Sequence, residues 1–253
     1  MSAIDYARSQ HVRFLSELKD FLRIPSISAL PEHKSDMVTA AEFLRAELLR
    51  IGMENVQLIE TEGEPLVYAD WLHAVGSPTC LFYGHYDVQP TDPIEEWESP
   101  PFEPAEQHGN LYARGASDDK GQLYIHIKAL ESLLHENGGK LPINVRLLME
   151  GEEEVGGKHV SQFVREHSER LRSDFAVVSD TKMVRADIPS LYVGLRGIVY
   201  VEIEVNGPSV DLHSGIYGGN VRNPLMVLAQ IISQLKDEKE RVLIPAFTTP
   251  FLM

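Results

Sequence analysis

Apolar residues at Ile4, Ala7, Phe14, Leu15, Leu18, Phe21 and Leu22 recur at helical spacing, which predicts one amphipathic helix over residues 4–23, stopped by Pro25. A second stripe, Val38, Ala41, Leu44, Leu48 and Ile51, predicts a helix with Ser35 as its N-cap and Gly52 just past its end. Shorter apolar runs follow. Val56–Ile59 and Leu66–Trp71 read as strands, and a third strand from Thr79 ends on Gly84 and presents His85 and Asp87. The prolines between residues 90 and 110 exclude a helix there. They predict a long ordered loop, which either walls a functional site or covers plain surface. Leu111–Arg114 is a brief strand. A helix striped by Leu123, Ile127, Leu130 and Leu134 follows and ends before Gly138. Then come a strand at Ile143–Met149, a helix through Val160, Phe163, Val164 and Leu171, and a strand at Phe175–Val178.

Strand and helix alternate, so the expected fold is α/β, a mostly parallel sheet flanked by helices. After Pro189 the pattern changes. Tyr192–Asn206 reads as an extended strand whose second half, Ile198–Val205, alternates apolar and charged residues as in a half-exposed antiparallel sheet. A helix is expected near Pro224–Leu235. These features set a domain boundary near residue 195, giving residues 1–194 and 195–253.

In parallel sheets, ligands bind beyond the carboxyl ends of the strands. His85, Asp87, Asp118, Glu153, Glu154 and Asp180 all lie just past predicted strand ends. Each has an ordinary reading of its own. His85 fits a solvated loop histidine, Asp118 fits a carboxylate at a helix N-terminus, and the glutamates fit an acidic surface. Their shared placement favours one site. His85 and Asp87, two apart in extended backbone, point to the same face, so the carboxylate can orient an imidazole that binds a metal. Two divalent metals about 3.5–4 Å apart can share a bridging carboxylate and a bridging water, and an adjacent Glu–Glu pair can divide the tasks of base and ligand. A donor set of oxygens and histidine without cysteine fits a catalytic site better than a structural zinc site.

The 253 residues suffice for one large domain or two modest ones. A net charge of −15 argues against nucleic acid as the main partner. Cys80, the single cysteine, sits in an apolar run and excludes an intramolecular disulfide. No apolar run approaches a membrane span and no apolar signal core opens the chain, so the expected setting is cytoplasmic, without a membrane partner.

Four motifs together, Gly84-His85-Tyr86-Asp87-Val88-Gln89-Pro90, Gly115-Ala116-Ser117-Asp118-Asp119-Lys120-Gly121, Glu150-Gly151-Glu152-Glu153-Glu154 and Asp211-Leu212-His213-Ser214-Gly215, resemble the M20 metallopeptidases, in particular the carnosinase-like dipeptidase branch. The resemblance implies a two-metal exopeptidase fold, incomplete here, with the start of a smaller α+β lid or dimerisation domain. It implies that His85 and Asp180 bind one metal, that Asp118 bridges both through a cis bond to Asp119, and that Glu154 binds the second. It makes Glu153 the general base and Asp87 the residue that orients His85. His213, otherwise a loop histidine, would polarise the substrate carbonyl in the partner subunit of a homodimer. The implied cofactors are two divalent ions, zinc first, with manganese or cobalt as alternatives. The implied substrate is a dipeptide or short peptide. Family members are far longer, and their returning segment supplies a second histidine ligand, which the chain up to Met253 does not contain unless His159 or a second subunit serves. The competing expectations are a catalytically weak fragment acting as a metal-binding or dimerising module, and an amide hydrolase of the deacylase or desuccinylase kind.

Overall fold

In the computed structural model, which describes residues 1–185, 187–245 and 247, the chain divides into two units, Met1–Ser190 and Leu191–Met253. The first unit carries α1 (Ala3–Ser9), α2 (His11–Leu22), α3 (Lys34–Ile51), β1 (Glu54–Ile59), β2 (Leu66–Trp71) and β3 (Thr79–His85). It continues with β4 (Ala105–Gln107), β5 (Asn110–Tyr112), α4 (Lys120–Glu136), β6 (Asn144–Glu150), α5 (Lys158–Glu166), α6 (Ser168–Leu171) and β7 (Phe175–Val178).

The sheet order is β1-β2-β6-β3-β7. β6, β3 and β7 are parallel, as the strand–helix alternation requires, because α4 crosses from β3 to β6 and α5–α6 cross from β6 to β7. β2 pairs antiparallel with both β1 and β6, so the sheet is mixed. Helices cover both faces. Phe21, Leu44, Leu48, Tyr124, Ile127 and Leu130 pack from α2, α3 and α4 on one side. Val160, Phe163 and Leu171 pack against Leu66, Tyr68 and Leu148 on the other. Burial on both faces explains why β2 is buried at every position and reads as a continuous apolar run rather than an alternation.

Several local expectations shift. The single helix expected over residues 4–23 breaks at Gln10, which lets Tyr6 stack on His135 at a 3.9 Å centroid distance. Ser35 is not an N-cap. A 3-10 turn at Pro31–His33 leads into α3, and His33 is the capping position, its Nδ1 lying 2.7 Å from Asp36 Oδ2. Proline pre-sets the backbone for a helical start, so the turn begins earlier than the apolar stripe. Val38 is exposed, and Met37 and Ala40 join the expected Ala41, Leu44 and Leu48 on the inner face. Gly52 ends α3 in the left-handed conformation at φ 94°, where a glycine carries no Cβ penalty. The helix expected through Leu171 is two pieces broken at His167, with Val164 exposed. The proline-rich stretch holds a 3-10 turn, Ile94–Glu96, and then the β4–β5 hairpin. The turn of that hairpin, His108-Gly109, has positive φ at both positions, the geometry of a two-residue primed turn.

The second unit contains α7 (Ser214–Tyr217), α8 (Pro224–Ser233) and an isolated antiparallel bridge between Lys236 and Val242. Asn223 caps α8 by accepting from Leu225 N, with Pro224 at the first turn. The expected strand at Tyr192–Asn206 does not form. Among the described residues it enters no β-ladder, and a strand exists only through a hydrogen-bonded neighbouring strand. No described helix is long and apolar enough to cross a membrane.

Candidate metal centre

Three parallel strands deliver the site at their carboxyl ends. His85 closes β3, Glu150 closes β6 and is followed by Glu153 and Glu154, and β7 ends two residues before Asp180. His85 is fully buried. Its Nδ1 lies 3.1 Å from Asp87 O and 3.2 Å from Asp87 Oδ1. Two acceptors on that side hold a proton on Nδ1, which turns Nε2 outward towards the other acids. Nε2 lies 3.1 Å from Asp118 Oδ1 and 3.9 Å from Asp180 Oδ2. Donor atoms of His85, Glu153 and Asp180 all fall within 4.8 Å of one another. Asp118, largely exposed, stands beside this triangle through its contact with His85. Glu154 Oε2 accepts from Gln89 Nε2 at 2.7 Å. The bond between Asp118 and Asp119 is cis.

Asp87, also fully buried, accepts the backbone N–H of Glu153 (3.3 Å) and of Glu154 (3.1 Å), so the residue that orients His85 also holds the Glu–Glu pair. Residues outside the expected set complete the floor. Asp119 sits at the start of α4, yet its carboxylate caps nothing there and turns to accept from His85 N at 3.2 Å. Glu150 is buried and accepts from Tyr83 Oη. Ser28 donates to Asp87. The signal for Asp119 and Glu150 lay in their own motifs. Lys120 lies in the Asp118-Asp119 motif as well, whereas Ser28 gave no signal, since nothing local relates it to the acids.

The electrostatics follow from crowding. Burial raises Asp119 to about 7 despite His85, with Asp180 and Asp118 adding to the rise. Burial also raises Glu150 to about 7, against the Tyr83 hydrogen bond, helped by the charge of Asp87. Glu153 and Glu154 are pushed up as well, first by desolvation and then by neighbouring carboxylates. On His85, burial disfavours the charged ring, but the Asp87 hydrogen bond and the charges of Asp87, Asp119 and Glu153 push it up to about 10. A pocket that protonates its own carboxylates and imidazole is short of positive charge. Asp119 Oδ1 and Glu150 Oε2 are buried without a protein partner. One imidazole among carboxylate oxygens is a donor set suited to a zinc-class divalent ion, so the residues present fit a metal.

His159, the alternative ligand, is engaged elsewhere, with Nδ1 2.7 Å from Glu152 Oε2. His213 belongs to the second unit. It is exposed, caps α7 and accepts from Gly215 N at 3.1 Å.

Comparison with known proteins adds a family to this geometry. Residues 81–244 match the model of Peptidase family M20/M25/M40. The chain belongs to that family. It is 33% identical over 244 residues to the Cys-Gly metallodipeptidase dug1 of Schizosaccharomyces pombe, covering 92% of this chain and 51% of that protein. It is 32% identical to the Beta-Ala-His dipeptidase of Mus musculus, covering 92% of this chain and 50% of that protein. Among solved structures it resembles an M20 family metallo-carboxypeptidase, Sso-CP2, from Sulfolobus solfataricus, with 38% identity and a TM-score of 0.81 over 92% of this chain and 52% of that one. This M20 chain thus spans about half the length of the relatives it matches.

Proposed function

We propose that this chain carries the metal- and water-handling half of a metal-dependent peptidase that hydrolyses dipeptides or short peptides. The observation that carries the reading is the gathering of His85, Glu153 and Asp180 donor atoms within 4.8 Å, with Asp118 against His85, at the ends of three parallel strands. In this reading His85, Asp180 and Asp118 hold one divalent ion, and Asp118 and Glu154 hold a second, for which this chain offers two donors. Divalent ions there would polarise the scissile carbonyl and make a water acidic enough to attack at neutral pH. Glu153, raised by burial and by neighbouring acids, is the base that takes the water's proton and returns it to the leaving amine. Asp87 keeps the His85 proton on Nδ1. Zinc is the ion assigned first, with manganese or cobalt as alternatives.

The dipeptide assignment rests on the names of the curated relatives, a Cys-Gly and a Beta-Ala-His dipeptidase. A second reading, carboxypeptidase action on longer peptides, draws on the 38% identity to Sso-CP2. Residues 1–194 form the catalytic part of this proposal. Residues 195–253 begin a lid through which two copies pair, with His213 acting on the carbonyl held by the partner subunit. The exposed Leu225 and Met226 of α8 support a covered surface there. A cytoplasmic setting belongs to the same proposal and rests on the single, buried, free cysteine.

Turnover of a panel of dipeptides and longer peptides by the metal-loaded protein tests this. Metal-dependent cleavage is expected, with dipeptides preferred. Glu153→Ala lowers turnover on the order of 10³-fold with metal content unchanged, because a base is not a ligand. Metal content falling together with activity would exchange the roles of Glu153 and Glu154. Metal-loaded protein that cleaves no peptide would contradict the reading.

A further inference from the structure

From the sequence, Ile24-Pro25-Ser26-Ile27-Ser28 marks only the end of a helix. In the fold it touches both the loop after β3 and the first residue of α4. Ser26 Oγ donates to Tyr86 O at 2.6 Å, and Val88 N donates to Ser26 O at 2.9 Å, so the segment runs hydrogen-bonded alongside Tyr86–Val88. Beside those two bonds, Ser28 Oγ donates to Asp87 Oδ2 at 2.6 Å. On the other flank the fully buried Lys120, next in sequence to Asp118-Asp119, donates from Nζ to Phe21 O at 3.2 Å and Ile24 O at 2.7 Å. A cation on the last carbonyls of α2 is favoured by the helix dipole. The end of α2 is thereby pinned to the Asp118 loop, and the segment that leaves it is pinned to Asp87.

Asp87 is the receiving point. Its Oδ1 takes His85 Nδ1 (3.2 Å) and Glu153 N (3.3 Å), and its Oδ2 takes Glu154 N (3.1 Å) and Ser28 Oγ (2.6 Å). Three of these four donors belong to the site itself. Ser28 lies 59 positions away in sequence and is the donor that ties the carboxylate to the rest of the fold. Two donors on each oxygen fix the plane of the carboxylate, and a charge-assisted hydroxyl bond is among the stronger kinds. Without the Ser28 hydroxyl, Oδ2 keeps Glu154 N alone of this pair.

We propose that Ser28 is a positioning residue of the metal centre, acting through Asp87 to set the His85 imidazole and the backbone that carries Glu153 and Glu154. This rests on the metal reading given above. The partners of ligands in metal sites are worth about 10- to 100-fold in metal affinity. The test is zinc affinity of the 253-residue protein at neutral pH, measured by competition with a chromophoric chelator, for wild type, Ser28→Ala, Ser28→Thr and Ser28→Val. Circular dichroism establishes that each variant titrated is folded. Ser28→Ala is expected to bind zinc about 10-fold more weakly. Thr keeps the hydroxyl and is expected close to wild type, whereas Val, matched to it in shape, is expected to bind as weakly as Ala. If Ser28→Ala fails to fold, the Thr and Val pair decides, since the two differ in the hydroxyl and not in volume. Wild-type affinity in Ser28→Ala or Ser28→Val, or equal affinities for Thr and Val, overturns the proposal alone. A wild-type protein that binds no zinc overturns the metal reading and the proposal with it.

Discussion

Two acidic clusters in the first unit use similar parts and reach opposite electrostatic states. Between α2, α3 and α4, Glu17, Glu47 and Glu131 are interleaved with Arg13, Arg50 and Lys128. Lys128 Nζ lies 2.5 Å from Glu17, 2.7 Å from Glu47 and 3.2 Å from Glu131, and Arg50 and Arg13 reach Glu131 at 2.8 and 2.6 Å. Burial alone would raise these acids, but the Arg50, Lys128 and Arg13 hydrogen bonds and charges win and hold Glu47 and Glu131 at about 2. At the strand ends, burial wins and Asp119 and Glu150 are held at about 7. The difference is countercharge. Lys120, in position to supply it, turns its ammonium away to carbonyls of the α2 end. The helix cluster is finished by the protein's own cations, whereas the strand-end cluster has no such countercharge, and in the proposed reading a bound divalent ion supplies it.

The largest way to break this contrast is Lys128→Met, which leaves three part-buried carboxylates without their central cation. It is expected to lower the unfolding free energy by about 4 kcal/mol, read from urea titration. Next comes acid. Glu47 and Glu131 release their protons more readily in the fold than at their ordinary value of 4.5, so their ionised forms stabilise it above that pH. That stabilisation is lost as pH falls from about 4.5 towards about 2. Because the two share Arg50 and Lys128, the pair is expected to contribute about 3 kcal/mol, at roughly 1.4 kcal/mol per pKa unit. Urea midpoints at pH 6 and pH 2.5, compared between wild type and Lys128→Met, measure it, and a wild-type midpoint that does not fall with acid would contradict the pairing. The smallest effect is a change of sign under one substitution. Glu131→Gln is expected to cost about 2 kcal/mol by weakening charged hydrogen bonds. Glu150→Gln in the metal-free protein is expected to add about 1 kcal/mol, because it removes an underpaired buried acid. Equal signs for the two would erase the contrast.

How far the sequence led depended on whether the deciding contact was local. The β3 strand, the Gly52 helix end, the α4 stripe and the placement of His85, Glu153 and Asp180 at or just past strand ends are all properties of short segments, and pattern reading reached them; Asp118 instead follows β5 of the separate antiparallel hairpin and joins them from the loop before α4. The break at Gln10 accompanies the contact of Tyr6 with His135, far along the chain, and no local signal marks it. Val38 failed because a stripe defines a face only to within a residue or so, and Met37 and Ala40 are buried beside the expected Ala41. Ser28 was invisible as a site residue, and so were the carbonyl partners of Lys120, since only tertiary folding brings these groups near. The 192–206 segment carries a strand's alternation yet joins no sheet among the described residues, and alternation alone does not make a strand.

The central claim is that the strand-end acids form a cation site bridged by Asp118, and calorimetric titration of the metal-free protein with zinc, for wild type and Asp118→Ala, tests it most directly. Saturable binding by wild type and loss of all bound zinc in Asp118→Ala, with the helix cluster's acid response unchanged, is the result this account predicts. No binding by wild type, or one zinc fully retained by Asp118→Ala, would contradict it.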